Sequence, residues 1–186
     1  MLTGFNTYLD EIDIEFWTNL CLESGILKRF AKGEEFITCG KVARYVGLIK
    51  EGSLKYVAHN AAGHEKVIGL ETVGGFAASF PFCLHNLPSV CSVVVNTDSE
   101  IYCLSVAKIK EKIKTDADAK EKIDNCLAAV FYNIYNRYID LHTLSPKERF
   151  EQLMNRCPKL FEIFMLKDIA SYLNITPTHL SRLKNS

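Results

Sequence analysis

The sequence predicts an α+β chain, with its strands in the first half and its helices in the second. Three observations carry this. From about Phe30 to Ser105, short β-favouring runs alternate with turn signals. From Val106 onward, apolar residues recur at helical spacing. The last stretch, Leu166 to Ser186, has the pattern of two short helices joined by a tight turn. The strand runs suggest a sandwich, barrel or β-roll, followed by a long helix and an all-α helix-turn-helix domain. The expected boundaries are 1–117, 118–144 and 145–186.

Taken in order, residues 5–23 read as a helix with Leu9, Ile12, Phe16 and Leu20 on one face and Trp17 beside it. The predicted strands are Glu35–Thr38, Tyr45–Lys50, Leu54–Ala58, Val67–Leu70, Ser92–Val95 and Ile101–Leu104. Lys32-Gly33, Cys39-Gly40, Glu51-Gly52, Asn60 to Gly63 and Thr97-Asp98 read as the turns between them. Val106–Ile113 is a short helix. Asp118 to about His142 is a long one, spanning about 37 Å at the usual rise. Its stripe of Ile123, Leu127, Val130, Ile134, Tyr138 and Leu141, widened by Phe131 and Tyr135, forms a continuous seam. Such a seam can face its own barrel and a second copy at once. Ser145-Pro146-Lys147-Glu148 is a capping box with proline at the first helical position; it starts a helix that Cys157-Pro158 ends. A hinge is expected near Leu144.

In the last segment, Ile169, Leu173, Ile175, Leu180 and Leu183 fall where two helices must pack, with Ala170 at their closest approach. Asn174 suits a left-handed turn, Thr176 an N-cap and Pro177 the first helical position. The second helix would enter the DNA major groove. Arg182 is the main candidate base reader, since arginine grips a guanine edge with two hydrogen bonds. Thr178, His179 and Ser181 are exposed early in the same helix, with Lys184 one turn on, and Thr176 offers a backbone amide to phosphate. Lys167 and Ser171 on the first helix are candidate phosphate contacts.

Composition fits this reading. The 186 residues are 48% apolar and 24% charged, as in a soluble globular protein of one large or two small domains. Net charge is zero, which excludes a general nucleic-acid sponge, yet residues 145–186 hold seven Lys/Arg against four acids. Met1 to Asp10 lacks the features of a signal peptide, and no run is long enough to cross a membrane; a cytoplasmic chain with no membrane partner is expected. Seven cysteines without a Cys-x-x-Cys pair read as reduced, mostly buried thiols rather than metal ligands.

Phe30-Ala31-Lys32-Gly33-Glu34, Gly40, Leu48 to Leu54, Gly74-Gly75-Phe76 and Ile169 to Arg182 together resemble the Crp/Fnr family of bacterial transcription regulators, the last stretch being most similar to its Bacteroidetes branch. The resemblance covers nearly the whole chain. It implies an α+β fold with an N-terminal antiparallel β-roll (a cupin-like, double-stranded sensor), a long dimerisation helix and a C-terminal helix-turn-helix domain. It also implies a homodimer in which the ligand-sensing β-roll controls a pair of recognition helices, with double-stranded DNA as partner and RNA polymerase as a further candidate. It places the ligand pocket at Gly74, Gly75, Phe76, Ala77, Ala78, Ser79, Phe80, Pro88, Ser89, Val90 and Cys91.

This pocket departs from the family. The Gly-Glu pair that holds the ribose falls at Ala78 and Ser79. The Pro-Arg pair that holds the phosphate falls at Pro88 and Ser89. From Thr72 to Thr97 there is no Asp, Glu, Lys or Arg. A phosphate here would lack a cationic partner, and burying an unpaired charge costs several kcal/mol. The sequence thus argues against cyclic AMP and leaves the effector unknown. The pocket binds an uncharged or apolar molecule, or is packed shut by Phe76, Phe80, Phe82 and Leu84, or senses redox state through Cys83 or Cys91. His59, His64 and His85 read as surface or hydrogen-bonded residues rather than haem ligands.

Two further departures concern the DNA end. The family's leading Arg-Glu pair is Pro177-Thr178 here, so a different target sequence is expected. The sequence ends at Ser186, so no β-hairpin wing is expected behind the recognition helix, whether by nature or by truncation. No Walker loop, His-Glu-x-x-His or Gly-x-Ser-x-Gly is present, so no enzyme is expected. The alternative to a regulator is a small-molecule-binding β-roll with a weak or vestigial DNA-binding domain.

Overall fold

The computed structural model describes residues 6–185. Phe5, at the start of the predicted first helix, and Ser186, at the end of the helix-turn-helix, lie outside them. A 3-10 turn at Thr7–Asp10 and helix α1, Ile14–Ser24, precede the sheet. The single helix expected over 5–23 is therefore two elements. Asp13 makes the break: its side chain accepts the Phe16 amide at 2.9 Å, so a new helix begins there. The buried face also differs. Trp17 and Cys21 are buried, while Ile12, Phe16 and Leu20 are half-buried.

One antiparallel sheet follows, built from β1 (Ile26–Phe30), β2 (Glu35–Ile37), β3 (Tyr45–His59), β4 (Glu65–Thr72), β5 (Phe76–Ala77) and β6 (Ser92–Ser105). The strand order is β1-β6-β3-β4, with β2 on β6 and β5 on β3. Two predicted turns are not turns. Glu51-Gly52 and Thr97-Asp98 lie within the long strands β3 and β6, where the register shifts between Ile49 and Leu54. A bulge needs the same residue types as a turn. Gly52 has φ +92°, and a side chain there would collide with Ser99 and the Asp98 carbonyl.

The helical half comprises α2 (Val106–Thr115), α3 (Ala117–Thr143), α4 (Pro146–Arg156), α5 (Leu160–Ile163), α6 (Leu166–Tyr172) and α7 (Pro177–Lys184). The Ser145 capping box is complete: its hydroxyl accepts the Glu148 amide, and Glu148 accepts the Ser145 amide at 2.8 Å. The 27 residues of α3 make a rod of about 40 Å.

Ile123 is a correction to the predicted seam. It is fully buried in the chain's own core with Cys126 and Ala129. Its stripe runs on but changes its neighbours, with Leu127 and Val130 half-buried. Phe131, Ile134, Tyr135, Tyr138 and Leu141 are exposed, joined by Tyr132 and Ile139. Phe131 and Tyr135 stack on each other, as do Tyr135 and Tyr138.

A first core lies between the sheet, α1, α2 and the start of α3. A second core joins Val67 and Leu70 of β4 to Leu153, Leu160, Ile169, Leu173 and Leu180. The helix-turn-helix is thus packed on the sheet rather than carried free of it.

Candidate nucleic-acid interface

Ile169, Ala170 and Leu180 are fully buried, so α6 and α7 share a small core of their own. Burying one leucine is worth about 1.5–3 kcal/mol. The turn is tightened by Ile175 N–H donating to the Ala170 carbonyl at 2.9 Å and by Asn174 at φ +54°. The Thr176 hydroxyl accepts the His179 amide at 3.2 Å and caps α7. Thr176, Thr178, His179, Ser181, Arg182 and Lys184 are all exposed. The 3.6-residue repeat places Thr178 and Arg182 opposite Leu180 and His179 and Ser181 on the flanks, while Lys184 lies one turn on from Leu180 and Thr176 is the N-cap. Lys184 lies over the Phe161 ring at 4.3 Å, so its ammonium is shared with the protein.

On α6, Lys167 is exposed as expected. Ser171 is not turned outward. Its hydroxyl accepts the Val67 amide of β4 at 2.9 Å, so in this arrangement it serves an internal contact instead of a phosphate. Asp168, buried beside it, takes Lys55 of β3 at 3.4 Å. Arg137 of α3 stacks over Tyr172 at 4.0 Å and donates to the Ile68 carbonyl at 2.8 Å. Asn96 of β6 donates to the Ile163 carbonyl at 3.0 Å. These contacts couple the sheet to the helical end of the chain, and spacing alone gave no signal of them: each partner lies on a separate element.

At the predicted ligand pocket, Gly75, Phe76, Ala77, Ser79, Ser89 and Cys91 are buried, Ala78 and Phe80 half-buried, and Gly74, Pro88 and Val90 exposed. Trp17 fills the space: its ring centroid lies 6.2 Å from Phe76 and 5.9 Å from Phe80. The Tyr56 hydroxyl accepts the Ala78 amide at 3.0 Å, using a backbone donor that an anion would need. A cleft of about 780 Å³ opens elsewhere, between the N-terminal turn, α3 and α4, with Asn133, Arg137, Arg149 and Arg156 in its wall. Among the described residues no cluster of His, Cys, Asp or Glu could hold a metal. No described helix is long and apolar enough to cross a membrane.

A second site was invisible in the sequence. Glu71, at the end of β4, is buried, and its carboxylate accepts Asn6 at 2.7 Å and the Tyr8 hydroxyl at 3.0 Å. Burial, opposed by those two bonds, pushes its pKa up to about 8.

Comparison with known proteins bears first on the strand-rich half. Residues 27–116 match the cyclic nucleotide-binding domain family. The match spans 90 of the 186 residues, from β1 to the end of α2. Helices α3 to α7 follow it as they do in Crp/Fnr regulators. FixK2 from Bradyrhizobium japonicum superposes with a TM-score of 0.73 at 18% identity, covering 87% of this chain and 83% of that one. A chain described as a Crp/Fnr-family transcriptional regulator from Eubacterium rectale gives 0.69 at 13%, covering 97% and 86%. The c-di-GMP-responsive global regulator CLP from Xanthomonas campestris gives 0.66 at 13%, covering 92% and 90%. No curated protein sequence matches. The fold is thus that of the Crp/Fnr structures, with the sheet first and the helices after it.

Proposed function

We propose that this chain is a cytoplasmic, homodimeric, sequence-specific DNA-binding regulator of transcription, and not an enzyme. The observation that carries it is the exposed row of Thr178, His179, Ser181 and Arg182 on a helix held by a fully buried Leu180, within the Crp/Fnr fold. The bare aromatic stripe of α3 supports a second copy as partner, since a monomer seldom leaves such a patch in water. The sensor does not take cyclic AMP on this reading. Its phosphate and ribose anchors are missing, and Trp17, Phe76 and Phe80 occupy the space.

The test is fluorescence anisotropy against a pool of genomic fragments, followed by the selected duplex. Arg182→Ala is expected to weaken binding by about 1–3 kcal/mol, roughly 5- to 150-fold, and to relax preference at one base position. Equal, weak binding by both proteins with the same salt slope would sink the regulator reading and favour a β-roll with a vestigial DNA end.

A further inference from the structure

The end of β2 and the start of β6 bring two thiols opposite each other. Ile37 faces Val93 across this antiparallel ladder. The two segments stay together beyond the strands. Cys39 N–H donates to the Ser92 hydroxyl at 3.0 Å. Gly40 N–H donates to the Ser89 carbonyl at 2.8 Å, and Ser89 N–H to the Lys41 carbonyl at 2.9 Å. Ile37 with Val93 on one side and Lys41 with Ser89 on the other leave Cys39 facing Cys91. Opposed residues in such a ladder have Cα atoms about 4.5–5.5 Å apart. A disulfide spans about 4.4–6.8 Å.

Position and the exposure of Cys39 set this pair apart; Cys157 is half-buried but lies on the far helical half, after α4. Cys39 is exposed, and Cys91 is 9% exposed beside it. Cys21, Cys83, Cys103 and Cys126 are buried. We propose that Cys39 and Cys91 form a reversible disulfide, with a hydroperoxide as oxidant.

The thiolate of Cys39 attacks the peroxide. An S–O bond forms, the O–O bond breaks, and the leaving oxygen takes a proton as water or an alcohol. The sulfur of Cys91 then attacks Cys39. The S–S bond forms, the S–O bond breaks, and hydroxide leaves with the Cys91 proton as water. Two thiols lose two electrons and two protons, which the peroxide receives. A dithiol reductant reverses the link by two exchange steps. Burial, opposed by the Ser89 hydroxyl and aided to a lesser degree by the nearby Cys39, holds the Cys91 thiol above its usual pKa, which suits the resolving rather than the attacking role. The link would pin the start of β6, the strand whose Asn96 holds the Ile163 carbonyl at 3.0 Å under the helix-turn-helix.

The reduced, desalted chain is treated with hydrogen peroxide, denatured, alkylated and mapped by peptide mass spectrometry. The expected result is one cross-linked peptide pair joining Cys39 to Cys91, lighter by two hydrogens, with alkylatable thiols falling from seven to five. Dithiothreitol restores all of them. Cys39→Ser and Cys91→Ser each abolish the link, and Cys157→Ser retains it. Three results overturn the proposal: seven free thiols after oxidation, a link between other cysteines, or Cys39 accumulating as sulfinic acid while Cys91 is still alkylated.

Discussion

Leu180→Ala is expected to cost about 2–5 kcal/mol and to remove DNA binding with it. Leu180 is fully buried among Leu153, Leu160, Ile169, Ala170 and Leu173, so its truncation leaves a cavity that those neighbours can only partly fill. Helix α7 has eight residues, far below the length at which a helix holds itself in water. Its order therefore comes from that core. Urea unfolding followed by circular dichroism measures the loss. Thr178→Ala, on the exposed face of the same helix, is expected to shift stability by less than about 0.5 kcal/mol. An unchanged midpoint for Leu180→Ala would mean that α7 does not rest on this core.

The second large effect is a pH dependence centred on Glu71. Between the usual 4.5 and about 8, the folded chain holds a proton on Glu71 that the unfolded chain has lost. Stability therefore falls as pH rises through that window, by roughly 3–5 kcal/mol in all. The direction is opposite to that of an ion-paired carboxylate, because burial and not a cation sets this group. Tyr8, Tyr56 and Tyr172 lie around it, and burial raises the pKa of each, so they stay neutral across the window. Glu71→Gln keeps the shape and the bonds from Asn6 and Tyr8 but removes the titration. Urea midpoints measured from pH 5 to 8.5 should fall for the wild type and stay nearly flat for Glu71→Gln. Parallel curves would show that Glu71 ionises normally.

The helical half was legible in the sequence because its signals are local. Ser145-Pro146 with Glu148, Asn174 in the turn and Thr176-Pro177 each act within four residues. The bounds of α4 and the pattern of the helix-turn-helix follow from them. The sheet was legible in outline only. Gly52 and Thr97-Asp98 carry turn chemistry but sit in bulges, and only the partner strand decides between the two. The strand β1 was missed: Ile26-Leu27-Lys28-Arg29-Phe30 mixes basic and apolar residues without alternation, and its pairing with Ser99 to Cys103 supplies what propensity does not.

At the candidate sites the limit is similar. A 3.6-residue repeat cannot separate a face turned to the chain's own core from one turned to a partner. Ile123 and Ile134 share a stripe, yet one is fully buried and the other 57% exposed. Ser171 has the right type and place for a phosphate contact, but Val67 claims its hydroxyl. Glu71 gave no signal because Asn6 and Tyr8, which hold it, lie more than sixty residues away in sequence.

The central claim is that two copies of α7, paired through α3, read adjacent turns of DNA. Hydroxyl-radical footprinting on a selected duplex tests it most directly, with Ile134→Asp as the control. Ile134 is exposed in the single chain, so a charge there should break the pair and spare the fold. The account predicts two protected stretches about 34 Å, or roughly ten base pairs, apart for the wild type, and loss of both at the same concentration for Ile134→Asp. One protected stretch, or protection equal for the two proteins, would contradict it.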